Sequence, residues 1–100
     1  MPRIEIRDGV GPVLEKGRTC EAIVAAIEQL NGCVTVVDRG AYVRVLVPRL
    51  CRLTRTAVEA LTGEPFELPT DLERVMPSFK GRIEATEDEV SWRFDRMVSR

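Results

Sequence analysis

Helical and strand periodicities alternate along this chain in an order that starts again at its midpoint. Cys20, Ile23, Val24, Ile27 and Leu30 fall at the i, i+3, i+4, i+7 spacing of an amphipathic helix, with Glu21, Glu28 and Gln29 off the stripe. Thr19 has the side chain of an N-cap, and Asn31-Gly32 offers left-handed residues to end the helix. Ahead of it, Val10–Leu14 reads as a short strand, which Pro12 assigns to a sheet edge because proline lacks a ladder donor. Behind it, Cys33–Val37 is β-branched, and Tyr42–Val47 alternates Val43, Val45 and Val47 with Tyr42, Arg44 and Leu46. The turn Asp38-Arg39-Gly40-Ala41 makes these two runs a hairpin, and Pro48 ends it.

The pattern then begins a second time. Leu50–Leu53 is a strand, and Thr54 caps a helix predicted over Arg55–Thr62. Leu53 and Val58 occupy the two positions of a hydrophobic staple, and Gly63 with Pro65 beyond it closes the helix. A helical turn is expected near Pro69–Arg74, followed by a loop through Pro77. Arg82–Ala85 and Val90–Phe94 form a last hairpin around Thr86-Glu87-Asp88, with Trp92 as the largest core candidate. The expected fold is therefore α/β (α+β), a doubled strand–helix–strand–strand unit covering residues 10–47 and again from 50. One hundred residues support a single core. Residues 1–9 are assigned to an arm, 10–94 to the domain and 95–100 to a polar tail.

What is missing narrows the chemistry. The chain has no histidine, so the commonest general base and metal ligand are both absent. Its 3 cysteines, Cys20, Cys33 and Cys51, include no CxxC pair and read as reduced thiols of an intracellular, cytoplasmic protein. Cys20 and Cys51 sit among apolar neighbours and are expected in the core. Arg44, Arg49 and Arg52 interrupt the longest apolar runs, and no stretch reaches the roughly 20 residues a membrane span needs. The carboxylates Glu87, Asp88 and Glu89 fall in a turn, and Asp71 and Glu73 on a surface helix, where nothing would shift their ionisation. No phosphate-cradling glycine motif occurs. The residues point to a chain without its own catalysis or cofactor.

Charge order says more than the net of −1. Arg39–Arg55 holds 5 arginines and no acid, and Glu59–Glu73 holds 5 acids and no base. Arginine dominates the basic residues, and its planar fork suits interfaces. Three readings of these blocks stand at this point. They are solvated faces that pair across the fold, a docking surface for an acidic partner, or a nucleic-acid module using Arg39, Arg44, Arg49, Arg52 and Arg55. Only Tyr42 lies near the run to stack on a base, which disfavours the last. An aspartate–arginine pair within the turn, Asp38 with Arg39, is the purely structural use of Arg39.

The order of residues also resembles a known family. The carriers are Val10-Gly11-Pro12-Val13, Val36 through Val45, Leu53-Thr54-Arg55-Thr56, Leu61 through Phe66, Leu72-Glu73, Ser78 through Ile83, and Glu87-Asp88. Together they resemble the effector proteins of bacterial multicomponent diiron monooxygenases, above all those of toluene and alkene systems. The resemblance spans about residues 10–94. It implies two βαββ-like repeats, with antiparallel sheets packed at a corner beside two main helices. It implies a cofactor-free subunit that binds the diiron hydroxylase above its active site and tunes substrate and oxygen access, coupling and regioselectivity. A Rieske-type ferredoxin is implied as a competitor for an overlapping site. The free protein is expected to be a monomer that binds neither nucleic acid nor membrane. By the same resemblance, Met76, Ser78, Phe79, Lys80 and Arg82 belong to a segment facing the hydroxylase, and Arg39, Tyr42 and Arg44 to a contacting hairpin.

Overall fold

The structure is a computed structural model that describes residues 8–95. Those residues form β1 (Gly9–Glu15), α1 (Arg18–Leu30), β2 (Thr35–Asp38), β3 (Tyr42–Pro48), β4 (Leu50–Thr54), α2 (Arg55–Thr62), α3 (Thr70–Glu73), β5 (Ser78–Lys80), β6 (Arg82–Ala85) and β7 (Glu89–Arg93). Residues 1–7 of the arm and 96–100 of the tail lie outside the described residues. Asp8 and Gly9, assigned to the arm by sequence, belong to the fold. Gly9 opens β1, and the Asp8 carbonyl accepts from Arg49 N–H at 2.8 Å.

Two antiparallel sheets result, one ordered β2-β3-β1-β5 and the other β4-β7-β6. The sequence repeat is visible in this topology. In each half the first strand lies beside the last, and the last lies beside the middle one: β1-β3-β2, then β4-β7-β6. β5 is the departure. It arises in the second half but pairs with β1 of the first. The sequence assigns no element to Ser78–Lys80, because three exposed residues carry no periodicity. β5 also corrects the reading of Pro12, since it makes β1 an interior strand. Proline is tolerated there because the β1–β3 pairs Gly9↔Pro48 and Val10↔Val47 are followed next by Val13↔Arg44, so that Gly11 and Pro12 are skipped on the β3 side.

The chain passes between the sheets three times, once from β4 to β5 through α2 and α3 and twice through a single residue with positive φ. Arg49 (φ 73°) joins β3 to β4, and Gly81 (φ 107°) joins β5 to β6. Such sharp bends let consecutive strands serve two sheets that meet at a corner. A Cβ at residue 81 would lie 2.7 Å from Val10 Cγ1, so only glycine allows this close approach. The corner is tied further by Phe94 N–H donating to the Arg49 carbonyl at 2.8 Å.

One core fills the angle between sheets and helices. Trp92, Leu14, Ile23, Ile27, Leu53, Leu72, Val10, Val45, Val58 and Val90 are fully buried. Each such apolar side chain contributes roughly 1.5–3 kcal/mol relative to exposure. α1 packs on α2 and β4 through the stripe the sequence marked, with Cys20, Ile23, Ala26 and Ile27 buried. Its ends differ from expectation. Gly17, not Thr19, is the N-cap, and Glu21 N–H donates to the Gly17 carbonyl at 3.0 Å. At the other end Asn31 is extended rather than left-handed, and the positive φ falls on Cys33 (55°). Asn31 is extended because its side chain is used elsewhere. Its Nδ2 donates to the carbonyls of Ile27 and Arg52 at 2.8 and 2.9 Å, and its Oδ1 accepts from Arg52 N–H at 3.0 Å. This clamp fixes the helix end to β4. Cys33 stays exposed outside β2, which begins at Thr35. α2 follows the sequence: Thr54 Oγ1 accepts from Ala57 N–H at 3.2 Å, Leu53 and Val58 are buried, and Gly63 is left-handed.

Candidate partner-docking face

One side of the four-stranded sheet packs on the core and the other faces out. Strand alternation decides which residues lie where. On β3, Val43, Val45 and Val47 point inward and Tyr42, Arg44 and Leu46 outward. The register then spreads the outer row across strands: Val37 pairs with Arg44, Arg44 with Val13, and Val13 with Ser78. A flanking row holds Thr35 opposite Leu46, and Lys80 opposite Gly11. Tyr42, 45% exposed, sits opposite Glu15.

Four of the residues singled out in the sequence, Tyr42, Arg44, Ser78 and Lys80, therefore share one face although they are far apart in the chain. The other four do not join them. Phe79 alternates to the reverse side beside Pro12 and remains 42% exposed because β5 is the sheet edge. Met76 is half-buried and packs against the core. Arg82 lies beyond the corner on β6, 3.5 Å from Asp95. Arg39 projects at the β2–β3 turn, where its N–H donates to the Tyr42 carbonyl at 2.8 Å. The half-buried Val13, Val37, Thr35 and Leu46 complete the face and were missed in the sequence. Alternation marks them as outward only once β1, β2 and β3 are placed side by side.

The electrostatics separate structural charges from free ones. Asp38 does not pair with Arg39. It accepts from Lys16 Nζ at 2.8 Å and from Gly40 N–H at 2.9 Å, and these bonds hold its carboxyl below the usual aspartate range. Arg52 donates to Glu89 through Nε (2.6 Å) and Nη2 (3.2 Å), which lowers the Glu89 ionisation and raises that of Arg52. Arg55 reaches Asp88 at 3.2 Å, and Arg49 stands 4.0 Å from Asp8. So three of the five arginines of the run, Arg49, Arg52 and Arg55, stand beside acids of the fold, and these acids are Asp8, Glu89 and Asp88 rather than those of 59–73. The five arginines are spread over the β2–β3 turn, β3, the β3–β4 link, β4 and α2. Among the described residues, Arg39, Arg44 and Lys80 make no ion pair.

No cluster of three or more His, Cys, Asp or Glu among the described residues is placed to hold a metal ion. Cys20 and Cys51 are buried, and burial pushes the Cys51 thiol up to about 12. No described helix is long and apolar enough to cross a membrane.

The sequence profile of the MmoB/DmpM family matches residues 8–93. The chain belongs to that family. An alkene monooxygenase effector subunit from Xanthobacter autotrophicus (strain Py2) is 40% identical over 85 residues, covering 83% of this chain and 83% of the relative. Among solved structures, a chain from a phenol hydroxylase–regulatory protein complex superposes with a TM-score of 0.78 at 13% identity, covering 87% of this chain and 98% of that one. At that identity the likeness speaks for the fold. As an MmoB/DmpM protein, the chain is an effector, the regulatory and non-catalytic component of a multicomponent monooxygenase. The fold expected from the resemblance, mixed α and β with antiparallel sheets, is the one observed.

Proposed function

We propose that this effector docks the outer face of its four-stranded sheet on the hydroxylase of a small-alkene or aromatic-hydrocarbon monooxygenase. There it tunes substrate and oxygen access, coupling and regioselectivity. The observation that carries the reading is the convergence of Tyr42, Arg44, Ser78 and Lys80 on one exposed face, with Arg44 and Lys80 in no ion pair among the described residues. An exposed aromatic ring beside uncompensated cations on a half-apolar sheet suits an acidic protein surface. A ferredoxin using the same hydroxylase surface would compete with it. Three free thiols suit work in the reducing cytoplasm.

A protein without catalytic groups alters another's chemistry only through differential binding. It must favour one hydroxylase conformer, and the shift it imposes is limited by its difference in affinity for the two. Moving a population from almost all one form to almost all the other takes roughly ten-thousandfold discrimination.

The test is calorimetric binding of the chain to its cognate hydroxylase at two salt concentrations. Binding that weakens with salt, and weakens by about tenfold in Arg44→Glu or Lys80→Glu, is the expected result. Equal affinity of both variants and wild type would remove the sheet face from the interface.

A further inference from the structure

Where β5 leaves the first sheet and β6 enters the second, an open groove of about 530 Å3 lies against Val10, Lys80, Gly81, Arg82, Phe94 and Asp95. Its wall is mainly apolar. It lies at the turn where Gly81, at φ 107°, packs directly on Val10 between the two strands. Phe94 is half-buried against the core, and buried Val10 lies beneath. The rim is charged unevenly. Arg82 and Asp95 stand 3.5 Å apart, whereas Lys80 has no acidic partner among the described residues.

We propose that this groove seats a protruding apolar side chain of the hydroxylase, whose flanking carboxylate pairs with Lys80. The inference rests on the docking reading above and names its anchor. Two observations commit the groove to that occupant. Lys80 belongs both to the groove and to the outward row of the sheet, so a partner covering the face reaches the groove without a gap. The uncompensated charge at the rim calls for a carboxylate. Protein interfaces draw most of their affinity from a few side chains seated in such desolvated pockets, with a polar rim excluding water.

The experiment uses the full chain and its cognate hydroxylase. Arg82→Trp places an indole over the groove from an exposed position, leaving the core untouched. Arg74→Trp, exposed on the helix side, controls for added bulk. Circular dichroism and melting confirm that both variants fold. Arg82→Trp is expected to weaken hydroxylase binding by at least about tenfold while Arg74→Trp binds like wild type. Wild-type affinity for Arg82→Trp overturns the groove proposal. If Arg44→Glu still weakens binding in that case, the docking reading survives it. A wild-type chain that neither binds the hydroxylase nor changes its turnover defeats both. Light scattering that shows a dimer dissociated by Arg82→Trp would assign the groove to a second copy instead.

Discussion

Gly81 shows how much one missing carbon decides. A Cβ there meets Val10 Cγ1 at 2.7 Å, Val10 Cβ at 2.9 Å and the Arg93 carbonyl at 3.1 Å. Gly81→Ala adds both that clash and a backbone conformation that L residues avoid, so it is expected to cost about 2–4 kcal/mol in chemical denaturation. A loss below about 0.5 kcal/mol would show that the corner relaxes freely. Asn31 is a second such residue. Asn31→Ala leaves the backbone N–H and carbonyl of Arg52 without their side-chain partner and should cost about 2–3 kcal/mol, more than Thr54→Ala at about 1 kcal/mol. The thiols supply a simpler check. Cys33 is exposed while Cys20 and Cys51 are buried, so a thiol reagent should modify one cysteine at once and the others only on unfolding.

At the scale of elements, the β4–β7 pair carries a pH dependence. Glu89 ionises below its ordinary range because Arg52 donates to it, so its folded-state value lies under the unfolded one. The stabilisation is therefore present above the unfolded value and fades as pH falls through the folded value, in the acid range. Glu89→Gln should flatten the acid limb of a stability–pH curve and leave its slope near neutrality unchanged. The effect is modest, because both side chains are more than a third exposed. An unchanged acid limb would assign that slope to other carboxylates. The same scale shows what was legible in the sequence. α1, α2, both hairpins and the buried Trp92 announce themselves through periodicity, caps and turns, which are local. The caps of α1 were misread because Asn31 and Gly17 serve long-range geometry that no short window records. β5 was missed because its identity as a strand lies in pairing with β1, 65 or more residues away in sequence. Of the proposed docking face the sequence singled out Tyr42, Arg44, Ser78 and Lys80, and their sharing one face depends on that missing strand.

For the molecule as a whole, a doubled topological unit builds two sheets, and one inserted strand completes a face that neither half has alone. Arg44 and Lys80, in no ion pair among the described residues, lie on that face, while Arg49, Arg52 and Arg55 of the run stand beside acids of the fold. Substitutions at Ser78 or Lys80 should thus alter coupling or product distribution while moving stability by less than about 0.5 kcal/mol, since both are exposed. A lowered melting temperature with unchanged catalysis would place them in folding instead. The most direct measurement is to titrate this chain into its cognate hydroxylase, ferredoxin and reductase during turnover of a small alkene or toluene. Product formed per reduced nicotinamide should rise and saturate near about one effector per active site, as a binding-driven shift requires. No change in rate, coupling or product distribution at any ratio would contradict the account.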